Sequence, residues 1–162
     1  MSLLRAEGLL WLCLLLAGCG SGANAADAAS DLDARREPNL ELMVGTGRDD
    51  YQELDASGTL VLERGPQGLQ HVYVSVRAPV EEGLHRVELT VEGEDRVLSA
   101  PTRMNAPFLG IPASPMSECL GLLVVIPSPD GYTDGRTATL RVEVESRGGD
   151  RGLFERPVQL RW

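Results

Sequence analysis

Lysine is absent from this 162-residue chain, and its positive charge rests on 15 dispersed arginines against 24 acidic residues, for a formal net charge of −9. Affinity for a phosphate backbone comes from clustered basic side chains that release counterions, so nucleic acid is excluded as a partner. The lack of a polybasic run also removes the electrostatic route to an anionic membrane surface, and any membrane attachment must be covalent or hydrophobic. A long hydrophobic run is missing too. The apolar stretch GLLWLCLLLAG at residues 8–18 holds eleven residues, whereas a membrane-spanning helix needs about 20. It has the length of a signal-peptide core behind a short start carrying Arg5, although Glu7 offsets that charge. Cysteine is scarce: only Cys13, Cys19 and Cys119 occur.

The apolar stretch ends in Leu16-Ala17-Gly18-Cys19, which resembles the lipobox of bacterial lipoproteins: an aliphatic residue, two small ones, then cysteine. Small side chains let an extended backbone enter a peptidase cleft, and only a thiol offers the nucleophile for thioether formation. The resemblance implies a diacylglyceryl group on Cys19, cleavage before it and acylation of the new amine. The alternative is an ordinary secretory signal cut near Ala23-Asn24-Ala25, with Cys19 discarded. Each buried methylene contributes about 0.8 kcal/mol and stable anchoring takes more than one chain, a requirement a diacylglyceryl cysteine meets. Gly20 stands where Asp would favour inner-membrane retention in enterobacterial lipoproteins, so the outer membrane is the favoured location. With Cys13 lost and Cys19 acylated, Cys119 has no partner, and the mature domain must be held by apolar packing rather than a disulfide.

The chain then divides into a signal peptide at 1–18, a lipidated Cys19 with a flexible tether at 19–37, and one domain at 38–162. The tether, GSGANAADAASDLDARRE from residue 20, has too little apolar content to offset the entropy of ordering. Its coil dimension is about 25 Å.

From residue 38 onward the dominant period is two. TATLRVEVES at 137–146 places Ala138, Leu140, Val142 and Val144 on one face and charged or hydroxylic residues on the other, the pattern of a half-buried strand. HRVELTVEG at 85–93 turns Val87, Leu89 and Val91 inward, and QHVYVSVRA at 70–78 turns Val72, Val74 and Val76 inward with His71, Tyr73, Ser75 and Arg77 outward. Weaker strands read at 39–45, 59–64, 96–101 and 156–162. CLGLLVVIP at 119–127 does not alternate, so it is either covered on both faces or changes face midway. Turn residues separate these runs at 55–58, 63–68, 92–95, 128–135 and 146–152. Pro101, Pro107, Pro112 and Pro115 crowd residues 101–118, which reads as a long connection rather than an interior strand. The pattern predicts an all-β fold, an immunoglobulin-like antiparallel β-sandwich of seven or eight strands, with a jelly roll or small barrel as the alternative.

Gly45-Thr46-Gly47, the turn at Asp55–Gly58, and GPQG at 65–68 followed by HVYVSVR at 71–77 resemble a group of uncharacterised lipoproteins of myxobacterial type. The resemblance covers about a fifth of the chain. It implies a β-sandwich lipoprotein and supplies no catalytic residue.

Candidate chemistry is sparse. A copper site of the cupredoxin kind needs His and Met shortly after its cysteine, and neither follows Cys119. A hydrolase or metal-dependent envelope enzyme would have to use His71 or His85, the only histidines, yet these differ in strand phase and no G-x-S-x-G elbow accompanies them. Asp49-Asp50 and DGYTDG at 130–135 suit turns as well as calcium. The expected function is that of a lipid-anchored cell-envelope protein, a non-catalytic binding or structural module needing no cofactor or metal. Its partners are the membrane, through Cys19, and an envelope protein, for which Met104, Phe108 and Met116 in the proline-rich segment are the candidate contacts. The competing expectation is that Phe108 and Met116 fold back to cap the domain.

Overall fold

The computed structural model describes residues 37–65, 68–93, 97–127 and 135–162. The expected leader, the expected lipobox at Cys19, the expected tether as far as residue 36 and residues 128–134 of the acidic stretch lie outside the described residues. Every regular element among the described residues is a strand: β1 (Met43–Thr46), β2 (Gln52–Glu53), β3 (Thr59–Val61), β4 (Glu63–Arg64), β5 (Gln70–Ala78), β6 (Gly83–Gly93), β7 (Thr102–Gly110), β8 (Ser117–Ile126), β9 (Thr137–Glu145) and β10 (Arg151–Arg161). The expected seven or eight strands are therefore ten. They form one curled mixed sheet in the order β2-β1-β5-β8-β7-β6-β9-β10-β3, with β4 on β5.

The alternation read from β5, β6 and β9 is what the strands use. Val72, Val74 and Val76, Val87, Leu89 and Val91, and Leu140, Val142 and Val144 are all buried in a single core with Leu60, Val124, Val158 and Leu160. Burial of about 25 cal/mol per Å² of apolar surface makes this inward set the main driving force of the fold. Outward residues of β6, β7, β9 and β10 pair by charge: Arg103 with Glu88 at 2.7 Å, Arg86 with Glu145 at 3.5 Å, and Arg141 and Arg151 with Glu143 at 2.7 and 3.0 Å.

Three expectations are corrected. The pairing is not wholly antiparallel, because β3 runs parallel to β10 with Leu60 opposite Leu160. Only Leu62 separates β3 from β4, and its amide donates to the Arg161 carbonyl at 2.6 Å. Since β4 pairs with β5, residues 59–64 carry the ladder of hydrogen bonds from β10 back to β5. The second correction is the proline-rich segment, which contains a nine-residue strand, β7, in the middle of the order. It bonds β6 from Thr102 to Phe108 but β8 only at Leu109 and Gly110. A strand with a partner on one edge points every second amide away from the ladder, and proline can occupy such a place without losing a bond. The third is residues 96–101, of which the described part contributes one bridge, Val97 to Glu92.

The missing alternation in β8 has a local cause. Cys119 pairs with Val76 while Leu122 pairs with Val74, so one extra residue is accommodated between them. This β-bulge shifts the inward set from Ser117 and Cys119 to Leu122, Val124 and Ile126. Gly121 takes φ +64° there and lies against the Arg48 carbonyl. The buried Ser75 hydroxyl closes the site, donating to the Gly47 carbonyl at 2.9 Å and accepting from the Gly121 amide at 3.2 Å.

Candidate functional site

Register places four segments at one end of the molecule. Ala78 opposite Ser117, Gly83 opposite Phe108, Arg86 and Arg151 both opposite Glu145, and Met43 opposite Arg77 bring together the β5–β6 corner, the β7–β8 hairpin, the β9–β10 turn and the residues that precede β1. Asn39 ties the last of these down. Its side chain donates to Asp150 Oδ1 at 2.7 Å and accepts from the Arg151 amide at 2.9 Å, while its backbone amide donates to the Arg151 carbonyl at 2.8 Å.

A pocket of about 220 Å³ opens between the corner and the turn, lined among others by Leu40, Glu81, His85, Ser146, Arg147 and Asp150. His85 is buried at 3% exposure, with its ring edge-on to Phe108 at a centroid distance of 5.4 Å. Its Nε2 lies 2.6 Å from the Glu81 carbonyl. A carbonyl can only accept, so Nε2 carries the proton of that bond. Nδ1 is buried without a hydrogen-bond partner, and buried polar atoms are nearly always paired. Arg147 donates through Nε to the Leu84 carbonyl at 3.2 Å, and its guanidinium packs on Gly83, where a Cβ would lie 3.1 Å from it. The Ser146 hydroxyl accepts from the Asp150 amide at 3.0 Å and so shapes the turn. The lining thus brings together a hydroxyl, a carboxylate and a guanidinium, groups suited to a small polar ligand, around an imidazole whose Nδ1 is enclosed.

The other expected residues lie elsewhere. His71 sits near the start of β5, a strand length of about 20 Å from the corner, and does not line the pocket that holds His85. Though on the outward face, it is buried because the β4–β5 hairpin covers it: its ring lies 3.5 Å from where a Cβ on Gly65 would be, edge-on to Tyr73, with Glu63 Oε2 at 3.9 Å from Nε2. That hairpin is closed by the Gly65 amide on the Leu69 carbonyl and the Gly68 amide on the Gly65 carbonyl. Phe108 is fully buried, and Met104 packs on the core half-exposed, because positions 104, 106 and 108 of β7 point inward. Met116 is half-buried beside the β7–β8 hairpin. Exposed instead are Leu109 at 61% and Leu84 at 51%. Among the described residues no cluster of His, Cys, Asp and Glu could hold a metal ion. Asp50 accepts from Gln52 within its own turn, and the acidic stretch at 130–135 lies outside the described residues except for Gly135.

Arg147, Ser146 and Asp150 escaped the sequence reading, which took SRGGDRG for a hairpin turn and nothing more. The one available signal was a charged side chain on each flank of a Gly-Gly turn.

Cys119 is free and buried, and burial pushes its thiol up to about 11. The folded state therefore keeps the neutral thiol while an unfolded one ionises near about pH 8.5. Its contribution to stability is complete below that pH and is lost as pH rises toward 11. Alkylation by iodoacetamide at pH 8 should track global unfolding, and Cys119→Ala should remove part of the alkaline loss of stability. Rapid alkylation of the folded protein would contradict this placement.

No protein-family model matches the chain, and no curated protein matches it.

Proposed function

We propose that the protein is a lipid-anchored component of the bacterial cell envelope, held at Cys19 and favouring the outer membrane, whose domain is a non-catalytic binding or structural module. The finer architecture we assign is an immunoglobulin-like sandwich, supported by the single core shared by the inner faces of β5 and β8 and of β6, β9 and β10. The anchor reading is supported by an apolar leader too short to cross a bilayer that ends at Leu16-Ala17-Gly18-Cys19. The binding reading is carried by one observation, the pocket that a buried His85 lines together with Ser146, Arg147 and Asp150.

A catalytic use of His85 is the competing reading, favoured by the absence of a hydrogen-bond partner on its Nδ1. It requires a nucleophile within reach, yet Ser146 has no hydrogen bond to His85 and turns its oxygen to the Asp150 amide.

The anchor is tested by intact mass and fractionation. Wild-type protein should lose residues 1–18, gain acyl groups and sediment with membranes, while Cys19→Ser should lose the acyl mass. An unmodified mature wild-type chain would end the lipoprotein reading.

A further inference from the structure

The tip of the β7–β8 hairpin belongs to the end of the domain where the chain enters from its amino-terminal side. Residues 109–116, LGIPASPM, carry no charge in a chain that is 24% charged. Pro112, Ala113, Ser114 and Pro115 are exposed, as is Leu109. Leu84 lies across the ladder from Pro107, adding a second exposed leucine beside the hairpin.

Most of the amides of the tip are paired within it. The Ile111 amide donates to the Met116 carbonyl at 3.1 Å, the Ser114 amide to the Ile111 carbonyl at 3.1 Å, and the Met116 amide to the Ser114 hydroxyl at 3.1 Å. Pro112 and Pro115 have no amide to satisfy. Between residues 111 and 116 only the Ala113 amide is without a bond, at a residue with φ +60° that makes the turn. The carbonyls of residues 112–115 have no bond within the tip, so this uncharged segment suits the hydrated headgroup boundary, where water still reaches them, and not the hydrocarbon core. Its flank carries two carboxylates, Glu81 and Glu82, against the one guanidinium of Arg147 on the Leu84 carbonyl. The Glu82 carboxylate lies 3.4 Å from where a Cβ on Gly110 would be, and Glu81 precedes it at the corner. A zwitterionic surface suits this end better than an anionic one.

We propose that the hairpin tip at Leu109–Met116, with Leu84 beside it, rests in the headgroup boundary of the membrane that holds the anchor, so that the β9–β10 turn and its pocket face that membrane. The proposal rests on the lipid-anchor reading. It is tested with the full lipidated protein in phosphatidylethanolamine vesicles containing little or much phosphatidylglycerol. A nitroxide is placed at Ala113→Cys or, at the far end of β5, at Leu69→Cys; Cys119 is buried and Cys19 is acylated, so the label goes to the introduced thiol. The label at 113 should be relaxed by lipid-dissolved oxygen more than by an aqueous nickel chelate, and the label at 69 the reverse. Leu109→Asp should abolish the difference at 113, and more phosphatidylglycerol should weaken it. Equal aqueous exposure at both sites, or shielding of 113 from both relaxants as under a protein partner, overturns the proposal. Intact mass separates the failures: acyl groups present with an aqueous tip overturns the tip contact alone, whereas their absence overturns the anchor and this proposal with it.

Discussion

Phe108→Ala should cost the domain about 3–5 kcal/mol, the range for removing a large buried aromatic side chain. A domain of this size has about 5–15 kcal/mol in total, so the variant should unfold at a much lower urea midpoint or fail to accumulate. The reason is positional as well as volumetric. Phe108 is fully buried at the last β6-paired residue of β7, before that strand turns to β8. It also supports the ring of His85 edge-on, so its loss should loosen the pocket. Phe108→Leu keeps much of the volume and should cost less than half as much. A midpoint for Phe108→Ala close to wild type would mean that β7 does not turn its even-numbered residues inward.

Gly121→Val is expected to destabilise the domain strongly through its backbone. A left-handed residue with a side chain costs about 1–2 kcal/mol, and overpacking adds about 1–3 kcal/mol. At Gly121 both apply: φ is +64°, and a Cβ would sit 2.5 Å from the Arg48 carbonyl oxygen, which is backbone and cannot swing away. The total of about 2–5 kcal/mol should appear in equilibrium unfolding. Because the bulge sets which side chains of β8 face the core, the variant should also expose apolar surface, read as increased binding of an apolar dye. Wild-type stability in Gly121→Val would show that the bulge is not held at this residue.

The bulge also explains one silence in the amino-acid sequence. CLGLLVVIP has no period because two correct periods, one step out of phase, meet at Gly121. The glycine was visible, but only the paired strand β5 shows that Val74 and Val76 skip across an extra residue. Phe108 and Met116 were legible as apolar residues in an otherwise irregular stretch. Whether Phe108 faced a partner or the core depended on β7 being a strand, and Pro107 argued against that. The proline is compatible because β8 leaves β7 after two residues, a fact about the neighbour rather than about the proline. His71 carried a misleading phase for the same kind of reason: alternation put it outside, and the hairpin folded over it from Gly65. The pocket was hardest to foresee, since its residues lie in the β5–β6 corner and in a turn more than sixty positions later.

Local alternation was enough to establish that the chain is all-β and which valines and leucines of β5, β6 and β9 form the core, because side-chain direction in a strand depends only on position along it. Strand neighbours, the parallel β3–β10 pair, the return of the ladder through residues 59–64 and the assembly of His85 with Arg147 and Asp150 came from packing alone. Pairing is made between segments distant in the chain, and no residue carries within itself the identity of the strand that will lie beside it.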